Sequence, residues 1–322
     1  MDPLSALAIV GFVVASIPTA ISLNLLVAKI LTRGSKGLCV VSEDEHAQVD
    51  IVFVHGLGGD PHETWCTRDT TKKVNWMTDL LPEDIRSTTP SRILTFGYSQ
   101  RLFSIPSYGF LGKRTRPSIL DNKVIKYLPQ ALYLHSKGLM EELTILRGEY
   151  ARDRPIIFVA HNLGGLIVKS TLVQASADVG EYSRHKAIQL STTGVLFFGT
   201  PQRETSRKSW SKLLTRIFTV SLELPAISLG ESITAQAELF DLQVQRYKSI
   251  EMNFQNYAFY EKYMTQKEPS VKLYVVPEES VLPTNARPWW HKIRLDRNHQ
   301  NMVKFERDDE DYQIVLGCIK TN

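Results

Sequence analysis

The chain has 322 residues, 38 lysines and arginines against 34 aspartates and glutamates, and 43% hydrophobic residues. That length fits one large domain or two modest ones, and the hydrophobic fraction excludes wholesale disorder. A net charge of +4, with no run of DNA-reading density, gives no case for a nucleic-acid partner.

Three cysteines, Cys39, Cys66 and Cys318, stand far apart. They form neither a disulfide framework nor a CxxC zinc pattern, and no metal or cofactor is expected. There is no Asn-x-Ser/Thr sequon. Both features fit a reducing, cytosol-facing compartment.

In chain order, the first segment is apolar. Pro3 to Ala28 carries no charge, and Leu7 to Ala15 is almost wholly hydrophobic. About 20 such residues cross the hydrocarbon core as a helix, so residues 1–35 read as a hydrophobic helix and membrane anchor. Lys29, Arg33 and Lys36 follow it, and only Asp2 precedes it. The positive-inside rule then places the remaining bulk in the cytosol or its equivalent. A soluble core helix and a cleaved signal peptide compete with this reading, the latter without a basic n-region.

Beyond Ser42–Gln48 the rhythm is that of alternating strands and helices. Val49–His55, Ser91–Tyr98, Pro155–Ala160, Thr193–Phe198 and Lys272–Val276 are short apolar runs, which predict five strands. Leu132, Leu139, Leu143 and Leu146 share a helical face within Leu128–Arg147, and a second helical pattern runs from Leu163 to Ala175. Such alternation predicts an α/β fold with a mostly parallel sheet and helices on both faces. Arg203 to Glu268 reads as helical and is predicted to cap one end of the sheet. Pro106–Pro117, rich in Gly, Pro and Arg, predicts a surface loop.

Catalytic groups in parallel sheets collect at the C-terminal strand ends. Ile156-Ile157-Phe158-Val159-Ala160-His161-Asn162-Leu163-Gly164-Gly165 is a strand, a tight turn and a helix with small residues around the turn. It matches the nucleophile elbow Gly-x-Ser-x-Gly, with Ala160 for the first glycine and Asn162 for the serine. An amide nitrogen does not attack, because its lone pair is delocalised. Asn does tolerate positive φ, so it preserves the turn while removing the attacking group. His55-Gly56-Leu57-Gly58-Gly59 follows the first predicted strand and suits an oxyanion loop, the donors being the N–H groups of Leu57 and Leu163. His299 lies late in the chain, where a base is expected, and Glu278 or Glu279, after the run KLYVV, is the candidate acid. Tyr257–Tyr260 and Trp289-Trp290 either line an acyl pocket or pack the core.

With these residues the chain resembles the α/β-hydrolase fold, and within it a fungal branch of the lipase-like serine-active-site-containing proteins. The motifs are Phe53-Val54-His55-Gly56-Leu57-Gly58-Gly59, Leu94–Tyr98, Ala160–Lys169, Phe197-Phe198-Gly199-Thr200-Pro201 and Asn298–Phe305. The resemblance implies a hydrolase domain over 45–320, with its cap at about 203–268, and lipase or esterase activity. It implies His299 as base and the glycine loop as oxyanion hole. The family has Ser where Asn162 stands, and His-Arg-Gly-Ser where Gln202-Arg203-Glu204-Thr205 stands.

Three functions follow as expectations. One is a membrane-anchored, catalytically degenerate relative that binds a lipid or an acyl or ester small molecule. Another is an active hydrolase, lyase or cyclase using His299 and the oxyanion loop. The third is a tethered signalling module whose protein partner nothing in the sequence names.

Overall fold

The computed structural model describes residues 37–67, 73–98, 128–178, 183–203, 207–221, 240–268, 271–283 and 285–322. The anchor read over 1–35 and the loop read over 106–117 lie outside them. Among the described residues no helix is long and apolar enough to cross a membrane.

Seven strands make the central sheet: β1 (Gly37–Glu43), β2 (Val49–Val54), β3 (Ser91–Gly97), β4 (Ile156–His161), β5 (Thr192–Phe198), β6 (Gln255–Glu261) and β9 (Trp290–Leu295). Their order is β1-β3-β2-β4-β5-β6-β9. All neighbours pair in parallel except β1, which runs antiparallel to β3 with Gly37 opposite Gly97. The short β7 (Thr265–Glu268) and β8 (Val271–Leu273) form a separate antiparallel pair.

Period-2 alternation along the strands divides the core in two. Val52, Val54, Phe158 and Ala160 face one cluster, which is covered by α1 (Leu128–Arg147), α2 (Leu163–Ala177) and α3 (Arg207–Ser221). Ile51, Phe53, Ile157 and Val159 face the other, which is built on Trp65, Trp76 and α4 (Glu310–Lys320). On α1, Leu132, Leu139 and Leu143 are buried, whereas Leu146 is half exposed near the helix end.

Four of the five predicted strands stand in the central sheet. The fifth does not: of Lys272–Val276, only the first two residues are in a strand, β8, outside the sheet. The reading of 203–268 as a helical cap is corrected in its last third. Helix occupies 207–221 and 240–248, but 255–261 is β6, a strand inside the sheet. The domain also begins earlier than residue 45, because β1 from Gly37 is its edge strand.

At the N-terminal end of the strands, buried Asp50 accepts from Arg92 Nε at 2.9 Å, Arg147 Nη1 at 2.5 Å and Arg154 Nη1 at 3.1 Å. A buried carboxylate is tolerable only when paired in this way. The network ties β2, β3, the end of α1 and the approach to β4 together at the end of the sheet remote from Asn162.

Candidate active site

The chain leaves β4 through Asn162, at φ 53° and ψ −122°, and enters α2 at once. For a residue with a Cβ this conformation is costly and persists only when its surroundings over-determine it. Here Asn162 N–H donates to the Phe198 carbonyl at 2.8 Å, and the Asn162 carbonyl accepts from Thr200 Oγ1 at 3.0 Å. The crossing needs small neighbours. A Cβ on Gly164 would lie 2.4 Å from the Val54 and His55 carbonyl oxygens, and one on Gly165 2.2 Å from Thr200 Oγ1.

The Asn162 side chain is fully engaged. Its Oδ1 accepts from the Leu163 N–H at 2.6 Å, and its Nδ2 lies 2.6 Å from His299 Nε2 and 3.5 Å from Ser221 Oγ. Exchanging the amide atoms would set two donors against each other at Leu163, so the orientation is fixed. His299 Nε2 must therefore accept, and the ring hydrogen sits on Nδ1. Burial pushes this imidazole well below its ordinary value, and the adjacent His161 ring adds to the effect. His299 is a neutral base whose lone pair is already held by the asparagine amide.

The carboxylate facing His299 Nδ1 is Glu261, at the end of β6, with Oε1 at 4.0 Å. That is beyond hydrogen-bond reach, although such contacts are often long in unliganded enzymes. Glu261 Oε1 accepts from the N–H groups of Val275 and Val276, at 2.7 and 3.0 Å, and Oε2 from the His299 N–H at 3.0 Å. Burial lifts the carboxyl to about 7 despite these three donors, which act in the opposite direction.

Glu278 and Glu279 are not brought to His299. Glu278 is exposed, accepting from Lys292 Nζ at 2.5 Å and Tyr260 Oη at 3.3 Å. Exposed Glu279 offers its carbonyl to Arg203 Nε at 3.0 Å. The misplacement has a topological cause: the strand before the last in the sheet is β6, not the run KLYVV. The signal available was the alternating run Gln255–Tyr260 ending in Glu261.

The glycine loop after β2 packs against the elbow. A Cβ on Gly56 would come within 2.8 Å of Asn162 Cβ, and one on Gly58, at φ +76°, within 1.9 Å of the Ser221 carbonyl oxygen. The last residues of α3 therefore lie directly on this loop. Between them opens a cleft of about 200 Å³, lined among others by Leu57, Thr64, His161, Ser221, His299 and Lys304.

His161 contacts the His299 carbonyl through Nε2 at 3.1 Å, and burial lowers its ring to about 4. It and Ser221 carry no sequence signal of their own, since only the fold brings them here. Tyr257, Phe259 and Trp290 pack into the two cores and do not line the cleft. Among the described residues no group of three or more His, Cys, Asp or Glu side chains is placed to hold a metal ion.

Strand order, the antiparallel first strand, a strained turn after the central strand and a histidine after the last strand decide the architecture. It is the α/β-hydrolase fold.

No family model matches the chain. It is similar to Protein SERAC1 of Homo sapiens, 26% identical over 277 residues, covering 85% of this chain and 39% of the human protein. The Danio rerio SERAC1 is 26% identical over 265 residues, 81% of this chain and 37% of that protein. The chain thus spans about two fifths of the length of the curated relatives it matches. These relatives are vertebrate and do not support the fungal placement.

Among solved structures it is similar to the Bacillus licheniformis lipase BlEst2, at 13% identity over 87% of this chain and 97% of that one, with a TM-score of 0.48. Mouse alpha/beta hydrolase domain-containing protein 10 gives 12% identity over 88% and 92%, with a TM-score of 0.42.

Proposed function

We propose that this chain is a lipase- or esterase-like domain that engages a carbonyl-bearing acyl or ester ligand without forming an acyl-enzyme at residue 162. The observation that carries this reading is the Asn162 amide. It bonds at 2.6 Å to the base, His299, and at 2.6 Å to the Leu163 N–H. It supplies no nucleophile, and it occupies both the lone pair that would activate one and a donor that would hold the oxyanion. In this reading the Leu57 N–H is the remaining oxyanion donor, Glu261 orients His299, and the apolar N-terminal segment holds the domain at a membrane on the cytosolic side.

The test uses the full chain in detergent on a panel of p-nitrophenyl esters. The native sequence is expected to show no burst and no turnover above background. Asn162→Ser is expected to raise turnover at least about 100-fold, because a serine there has a base and two donors waiting. Adding His299→Ala should abolish the gain. Burst-phase turnover by the native chain that disappears in His299→Ala would overturn the proposal.

A further inference from the structure

Residue 162 is held as a hydrolase would hold a substrate amide. Its Oδ1 accepts at 2.6 Å from the Leu163 N–H, at the first residue of the 15-residue helix α2. That donor and the helix dipole stabilise negative charge on the oxygen. Its Nδ2 lies 2.6 Å from His299 Nε2, the atom that carries the lone pair of the base. The side-chain carbonyl carbon, Cγ, is thus polarised on one side and bears its leaving nitrogen against an imidazole on the other. The main-chain bonds of Asn162 to Phe198 and Thr200 keep the side chain in this place.

The cleft brings water to the same point. It measures about 200 Å³ and is lined by His161, Ser221 and His299, and Ser221 Oγ stands 3.5 Å from Nδ2. Polar walls around that much space hold ordered water.

Burial is not what sets Asn162 apart. Asn256 is buried too, and its Oδ1 accepts from Tyr247 Oη at 2.6 Å. Its Nδ2, however, donates to the carbonyls of Glu251 and Phe254 at 2.9 and 3.0 Å. A backbone carbonyl neither takes a proton from water nor returns one to ammonia.

We propose that Asn162 is a self-processing site: His299 directs water onto the side-chain amide, which becomes aspartate with release of ammonia. His299 Nε2 exchanges the amide hydrogen for that of a water in the cleft, and takes its proton as the water oxygen bonds to Cγ. The C=O electron pair moves onto Oδ1, where the Leu163 N–H holds it. When that pair returns, the Cγ–Nδ2 bond breaks and Nδ2 leaves as ammonia with the proton from Nε2. One water is consumed, one ammonia leaves, and nothing is oxidised or reduced. Attack by the Leu163 nitrogen is disfavoured, because its lone pair is delocalised and its hydrogen is engaged by Oδ1. The aspartate left at the elbow is a carboxylate beside a base, and a carboxylate attacks where an amide does not. This self-processing rests on the reading of the elbow as an oxyanion and base site intact apart from its nucleophile.

The test incubates the full chain in detergent at neutral pH for days and maps tryptic peptides by mass. The peptide from Asp153 to Lys169 contains Asn162 as its sole amide side chain. It is expected to become one mass unit heavier in ordinary water, and three units heavier in water labelled with heavy oxygen. Conversion at Asn256 should be at least about ten times slower, and His299→Ala should slow residue 162 at least about tenfold. Conversion found already in the fresh chain is judged by the same comparisons. Isoaspartate at residue 162 would show attack by the Leu163 nitrogen and overturn the assignment to His299 and water. Equal rates at Asn162 and Asn256, or an unchanged rate in folded His299→Ala, would do the same. No conversion while Asn162→Ser gains ester turnover would overturn the self-processing and leave the ligand-binding reading standing. No conversion and no gain would overturn both.

Discussion

The carboxylates considered as partners of His299 differ in where the fold puts them. Glu261 is buried at 4.0 Å from Nδ1, whereas Glu278 is exposed and bonded to Lys292. In the Asn162→Ser background, Glu261→Gln should cut kcat for p-nitrophenyl acetate at least about 100-fold, while Glu278→Gln should leave it within about twofold. Equal losses from the two variants would reject the assignment.

Lys169 tests the core on a different quantity. Its ammonium lies 5.1 to 5.8 Å from the ring centroids of Phe197, Tyr247 and Trp290 and donates to Gln202 Oε1. Burial lowers it from 10.5 to about 7, with Glu251 only partly offsetting. A lysine whose folded value is depressed destabilises the fold progressively as pH falls from its unfolded value through the folded one. Lys169→Met should therefore raise the urea midpoint relative to the native chain, with the gap widening from pH 10 to pH 6. A midpoint lowered at both pH values would show that the aromatic box stabilises the cation outright. His299 and the glycine loop were legible in the sequence because their motifs are local. Glu261 was not, since its role depends on which strand comes last but one in the sheet.

At the scale of elements, the elbow between β4 and α2 is the most constrained junction. The helix can start against β2 only because residue 164 has no side chain: a Cβ there would stand 2.4 Å from two backbone oxygens. Backbone cannot move aside as a flexible side chain can, and overpacking of this kind costs about 1–3 kcal/mol or more. Gly164→Ala should lower the unfolding free energy by at least about 2 kcal/mol, measured by urea titration of tryptophan fluorescence. Gly138→Ala, in the middle of α1 with no atom within 4 Å of the added Cβ, should be neutral or stabilising. The elbow was readable because Ala160, Asn162, Gly164 and Gly165 follow a known spacing. β6 and β9 were not, because β6 follows a helical insertion and β9 has three exposed polar residues, His291, Lys292 and Arg294, among its six. That edge pattern protects an open strand and masks it in a search for apolar runs.

For the molecule as a whole, the edge strand β1 decides where the domain begins. Its six register pairs cover β3, which would otherwise present unpaired backbone groups. A chain starting at Gly37 should unfold in one transition, and a chain starting at Glu45 should melt at least about 5 °C lower. Identical melting by circular dichroism would show β1 to be dispensable.

By itself the sequence determined the alternating α/β class, the asparagine at the elbow, the glycine loop, the late histidine and the apolar start of the chain. All of these are read from spacing within a few residues. Only the tertiary structure decided that Glu261 faces His299, that Ser221 and His161 reach the cleft, and that the Asn162 amide holds the base and a backbone donor together. Those facts depend on strand order and on contacts between residues 38 to 138 positions apart, which no local pattern encodes.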